Sequence, residues 1–86
     1  MFEVILSPEA QAFYATVDHP LAKKLARCFA QLEQEPRRHN NIKRLTGELA
    51  PRLRYRVGDW RVIFRIDEST RRVIVLTIAH RREVYE

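Results

Sequence analysis

Residues 52–57 alternate strictly, Arg-Leu-Arg-Tyr-Arg-Val, before Gly58-Asp59 and a second β-forming run, Trp-Arg-Val-Ile-Phe-Arg-Ile, over residues 60–66. Nothing else in the chain restricts the fold as strongly. Successive side chains of a strand point to opposite faces, so this period of 2 specifies strands with one buried face. The two-residue Gly-Asp break between them specifies a hairpin. Such a loop pairs Val57 with Trp60, Arg56 with Arg61, Tyr55 with Val62, Arg54 with Ile63 and Arg52 with Arg65. One hairpin face then holds Leu53, Tyr55, Val57, Trp60, Val62, Phe64 and Ile66, without charge. The other holds Arg52, Arg54, Arg56, Arg61 and Arg65 around Ile63.

The remaining segments supply what that apolar face must pack against. Residues 2–6 are a short apolar run closed by Ser7-Pro8-Glu9, which predicts a strand, then a helix with Ser7 as its cap and proline in its first turn. Ala10, Phe13, Tyr14 and Val17 follow at helical spacing, and Asp18-His19-Pro20 ends that helix and starts another. Leu21, Leu25, Cys28, Phe29 and Leu32 form the apolar stripe of the second helix, which places Cys28 in the core. Residues 36–41 read as a polar loop and residues 42–50 as a connection with little structure of its own. Residues 73–79 are a nearly continuous apolar run, expected of a strand near the sheet centre and covered on both sides, ending at His80. The reading is an α+β chain, β-α-α-β-β-β, with two N-terminal helices packed on a small, mainly antiparallel twisted sheet.

With 86 residues, one domain over 1–86 is expected, since a chain of this size buries one modest core. No run of about 18 apolar residues suggests a membrane span, and the first residues do not have the pattern of a secretory signal. The lone Cys28 has no partner for a disulfide or a metal cage. A cytoplasmic location without membrane attachment, cofactor or metal is therefore expected.

Charge is divided unevenly. Residues 1–36 carry five acids and three bases, whereas residues 37–86 carry thirteen bases and six acids, so the anion-facing surface belongs to the C-terminal part. Thirteen of the sixteen bases are arginine, whose planar fork suits bidentate phosphate contact. Like charges opposed across a hairpin destabilise it unless an anion sits among them. Nucleic-acid backbone is the matching anion. Tyr55, Trp60 and Tyr85 offer stacking surfaces, but the first two fall on the apolar face and read as core, which leaves Tyr85.

The pattern Arg52-x-Arg54-x-Arg56-x-Gly58-x-Trp60-Arg61-x-x-Phe64, then an apolar strand, then His80-Arg81-Arg82-Glu83-Val84-Tyr85, resembles the RelE/ParE superfamily of toxins from bacterial toxin–antitoxin pairs, and RelE most of all. The resemblance spans nearly the whole chain. It implies a RelE-like, microbial-ribonuclease-type fold and a metal-independent, ribosome-dependent mRNA endoribonuclease that inhibits translation. The implied reaction is attack of a 2′-hydroxyl on the adjacent phosphate. It also implies Arg61 as the catalytic arginine, Tyr85 as a base-stacking or proton-transferring residue, and Arg81, with Arg82 as the alternative, as the terminal basic residue. Arg52 and Arg54 match positions where relatives carry lysine; as arginines they stay protonated and cannot act as bases. His80 is the candidate for proton transfer because its ordinary pKa lies near neutrality, against a second reading as a strand-end histidine held by a backbone partner. Arg52, Arg54, Arg56, Arg65 and Arg82 are the expected RNA contacts. The implied partners are a cognate antitoxin, mRNA and the ribosomal decoding site, with operator DNA reached only through the antitoxin. The competing reading is a ParE-like inhibitor of DNA gyrase that shares the fold and cleaves no RNA.

Overall fold

Each element forms where its ends can be satisfied locally. The computed structural model describes residues 1–47 and 51–84. Glu3–Leu6 forms β1, and Ser7 caps α1, Pro8–Tyr14. The Ser7 hydroxyl accepts from the Ala10 amide at 3.1 Å and donates to the Leu76 carbonyl at 2.7 Å, so one side chain starts the helix and ties it to the sheet. Asp18 caps α2, His19–Gln34, by accepting from the Leu21 amide at 3.0 Å. Leu25, Cys28 and Leu32 are buried on the stripe expected from their spacing.

Four further strands follow among the described residues: β2 (Ile42–Arg44), β3 (Leu53–Val57), β4 (Trp60–Asp67) and β5 (Arg72–His80); a 3₁₀ turn, Arg81–Glu83, comes last. The strand order is β1-β5-β4-β3-β2, with β1 parallel to β5 and every other pair antiparallel. This is the expected α+β arrangement with one more strand. Residues 42–44, expected to lack structure of their own, add an edge strand in which Ile42 lies opposite Tyr55 while Lys43 and Arg44 stay exposed. With one apolar position in three residues, no periodicity could announce it. The remainder of that connection, residues 48–50, lies outside the described residues.

The hairpin register is the one the two-residue loop requires, from Val57–Trp60 to Leu53–Phe64, so Arg52 and Arg65 fall beyond the last pair of the ladder. Gly58 takes φ 58° at the first central position of the turn, where a type II′ loop needs left-handed backbone. β4 and β5 shift register between Ile63 and Phe64: Thr77 faces Ile63 and Val75 faces Phe64, leaving Leu76 as an extra residue. That bulge lets Val73, Val75 and Ile78 all reach the core despite their mixed spacing, and its carbonyl is the one that Ser7 satisfies.

Phe64, Val62, Val73, Val75, Leu25 and Leu32 form the fully buried centre of the core between helices and sheet. Cys28 lies in it, and burial pushes its thiol up to about 12. At pH 7 only about one such thiol in 10⁵ is ionised, so an aromatic disulfide reagent should label Cys28 no faster than the chain unfolds. Rapid labelling of the folded protein would contradict this packing. Among the described residues no helix is long and apolar enough to cross a membrane.

Candidate nucleic-acid interface

Strand pleat delivers the arginines to the sheet face turned away from the helices, and the ladder sets like charges opposite one another: Arg56 faces Arg61, and Lys43 faces Arg54. Such pairs repel unless the charges diverge or are neutralised. Carbonyl oxygens provide part of that neutralisation. Arg61 is only 7% exposed, and its Nη1 donates to the Gly58 carbonyl at 2.9 Å and the Trp60 carbonyl at 3.0 Å. Arg54 donates through Nη1 to the Asn41 carbonyl at 2.6 Å. Arg52, Arg56 and Arg65 are exposed. The five arginines of this hairpin face are thus divided into two cations anchored on backbone and three projecting ones.

Arg81 joins Arg61 at the hairpin turn. Its amide donates to the Asp59 carbonyl at 2.8 Å, and its Nε lies 3.7 Å from Asp59 Oδ1. The two arginines expected to handle phosphate, Arg61 and Arg81, are therefore both held at one turn, the first on Gly58 and the second on Asp59. Tyr85 lies outside the described residues.

His80 goes elsewhere. It pairs with Trp60 in the ladder, so it shares the helix side of the sheet with that ring, which it meets edge-on at 5.2 Å and 80°. Trp60 in turn packs on Phe13 at 5.1 Å. Neighbouring residues of a strand face opposite ways, so the side that receives Trp60 and His80 cannot be the side of Arg61. His80, the candidate for proton transfer, and Arg61 therefore lie on opposite sides of the sheet. His80 Nδ1 also accepts from the backbone amide and the Nε of Arg82, both at 3.3 Å, which places the proton of the neutral ring on Nε2. Arg82 is thereby drawn towards His80. The Glu83 carboxylate accepts from the His80 amide at 3.3 Å and closes a capping box on the terminal 3₁₀ turn.

Beside Arg61, a notch of about 260 Å³ is floored by Ile63, Thr77 and Ala79 and bounded by Arg52, Glu83 and Val84. Ala79 is the direct partner of Arg61, and its small side chain leaves room there. The Thr77 hydroxyl donates to the carboxylate of Glu9, which brings an acid from α1 to the edge of the basic face. In the sequence Glu9 is an ordinary acid in the first turn of α1. The sole signal for the notch was a threonine in an otherwise apolar strand. Tyr55 is core, as expected: burial holds its phenol above the ordinary range, with a hydrogen bond to Asn41 acting against the shift, and His39 stacks on its ring at 5.2 Å. No three His, Cys, Asp or Glu side chains among the described residues are grouped so as to hold a metal ion.

The sequence model of the family described as the ParE toxin of type II toxin-antitoxin system, parDE, matches residues 4–85. No curated protein sequence matches the chain. Among solved structures, the chain is similar to the RelBE toxin–antitoxin complex of Mycobacterium tuberculosis, at 24% identity over 92% of this chain and 96% of that one, with a TM-score of 0.80. It is also similar to the RelE–RelB complex of the archaeon Pyrococcus horikoshii, at 18% identity over 96% and 98% of the two chains, with a TM-score of 0.81. The YoeB/ParE toxin of Agrobacterium tumefaciens gives 15% identity over 92% and 98%, again with a TM-score of 0.81. At these identities the likeness establishes the fold.

Proposed function

The chain belongs to the family of ParE toxins of type II toxin–antitoxin systems, within the RelE/ParE superfamily, and from that premise we propose that it is a RelE-type, ribosome-dependent mRNA endoribonuclease. The observation that carries this reading is the Arg61 guanidinium, held by two carbonyls on a basic sheet face, with Arg81 at the same turn. Attack of a 2′-hydroxyl on the adjacent phosphate forms a bond from that oxygen to phosphorus and breaks the bond to the 5′-oxygen. The products are a 2′,3′-cyclic phosphate and a 5′-hydroxyl end. Charge grows on the phosphoryl oxygens during this step, and a guanidinium already fixed in place stabilises it without reorganising. Arg81 adds a second cation, while Arg52, Arg56 and Arg65 hold neighbouring phosphates. The attacking hydroxyl transfers its proton to a group other than the arginines, which stay protonated, and the departing 5′-oxygen takes up a proton from solvent to become the 5′-hydroxyl. His80 could serve only after leaving Trp60, so charge stabilisation is the part of the mechanism these residues support best.

On this reading, one domain spans residues 1–86 and works in the cytoplasm on ribosome-bound mRNA. A cognate antitoxin is its partner, by analogy with the toxin–antitoxin complexes to which it is similar, and operator DNA is met only through that antitoxin.

The second reading, a gyrase inhibitor, draws on the ParE description of the family. Brief induction in cells lacking the antitoxin separates the two. New 5′-hydroxyl mRNA ends within translated frames are expected. Growth arrest with broken chromosomes and no new ends would overturn the nuclease reading in favour of gyrase.

A further inference from the structure

At the end of the sheet remote from the Gly58–Asp59 turn, a cleft of about 570 Å³ opens between the loop after α2 and the ends of β3 and β4. Arg37, Arg38, Arg44 and Arg65 line it together with one carboxylate, Glu68. The buried Leu53 and half-buried Ile66 give it an apolar floor. Two acids neutralise Arg37: its Nε and Nη2 donate to Glu68 at 3.0 and 2.9 Å, and its Nη1 donates to Glu35 at 3.3 Å. Both carboxylates lie below their ordinary range, Glu68 chiefly because Arg37 hydrogen-bonds it and Glu35 chiefly because the Arg37 amide does. Arg38, Arg44 and Arg65 are exposed, and none of them has an ion-pair partner within 4.0 Å among the described residues.

We propose that this cleft is a second RNA subsite, taking the backbone phosphates of a single strand on Arg38, Arg44 and Arg65 and a base against its apolar floor. Three guanidiniums around an apolar floor match the two parts of a nucleotide, phosphate and ring. Arg65, which the cleft shares with the basic face of the first site, favours RNA over an acidic peptide. Arg65 and Arg61 stand four residues apart on the same face of β4, about 13 Å at the rise of a strand, whereas Leu53, its ladder partner Arg44 and Ile66 lie on the helix side, so a strand crossing Arg61 reaches the cleft by passing over the end of the sheet at Arg65. The identity of the polyanion rests on the nuclease reading; the existence of the cationic cleft does not.

The test is a titration of a fluorescein-labelled 12-nucleotide oligouridylate, followed by anisotropy at several salt concentrations, with the intact chain and with the double variant Arg38→Ala, Arg44→Ala. Both side chains are exposed, so the fold should be retained, as circular dichroism would verify. Loss of two phosphate contacts should lower the slope of log affinity against log salt by about 1.4 and weaken binding about tenfold at low salt. Unchanged slope and affinity would overturn the subsite. Unchanged oligouridylate binding with lost binding of an oligoglutamate peptide would overturn it in favour of an acidic polypeptide ligand. If the slope falls although induction of the intact chain yields no new 5′-hydroxyl ends, the cleft stands as a single-strand site and the nuclease reading alone fails.

Discussion

Arg61→Ala should lower mRNA cleavage on programmed ribosomes by about 10²–10³-fold, the usual effect of removing a fixed donor from a site of developing oxyanion charge. The expectation rests on how Arg61 is held. Its guanidinium is tied to the Gly58 and Trp60 carbonyls, so its orientation is set before substrate arrives. Arg61→Lys keeps the charge but cannot reproduce the planar fork, and should recover only part of the lost rate. Truncation leaves two carbonyls beside an exposed turn, where water can replace the guanidinium, so the stability loss should be about 1 kcal/mol and the variant should remain folded. His80→Gln is the informative comparison. Because His80 packs on Trp60 on the other side of the sheet, that change should reduce cleavage by about tenfold or less, well below the effect of losing a group that takes part in proton transfer. A loss equal to that of Arg61→Ala would show that His80 leaves Trp60 during the reaction. Undiminished cleavage by Arg61→Ala would remove the central residue of the proposed mechanism.

Val62→Asp should abolish folding. Val62 is fully buried opposite Tyr55 and Ile78, and a carboxylate there would find no cation among the core side chains around it. Burying an uncompensated charge costs on the order of 3–5 kcal/mol, in addition to the lost packing of the valine methyl groups. That total is comparable with the whole stability of a small domain, about 5–15 kcal/mol. Far-UV circular dichroism and urea titration give the readout. Arg56→Asp, an exposed change on the opposite face and directly across from Arg61, should stay within about 1 kcal/mol of the parent, since it exchanges a like-charge pair for an opposite-charge one. A folded Val62→Asp together with an unfolded Arg56→Asp would mean that the hairpin is slipped by one residue, because such a slip exchanges its faces.

Local rules carried much of the architecture in the order of residues itself. Ser7 and Asp18 start helices because each side-chain oxygen meets an amide three residues on. Gly58 closes the hairpin because the left-handed backbone of the turn suits a residue without Cβ, and that turn sets the pairing of every residue from Leu53 to Phe64. Alternation on either side of it separated the core residues Tyr55, Val62 and Phe64 from the arginines.

Other features required chain segments far apart in sequence to meet. The edge strand at residues 42–44 exists because Ile42 can cover Tyr55. The bulge at Leu76 depends on pairing with β4 and on a carbonyl that Ser7, 69 residues away, can satisfy. His80 was legible as a strand-end histidine, but its face was not, because the register of β5 against β4 assigns it to Trp60. Arg61 was placed on the correct face, yet its burial comes from carbonyls that the folded turn presents to it. Sequence thus determined the two helices, the hairpin and the alternation of its faces, which depend on hydrogen bonds and pleat within a few residues. Tertiary structure decided the destination of each charged side chain, because a guanidinium or imidazole settles on whichever acceptors and rings the distant strands bring within about 3–5 Å.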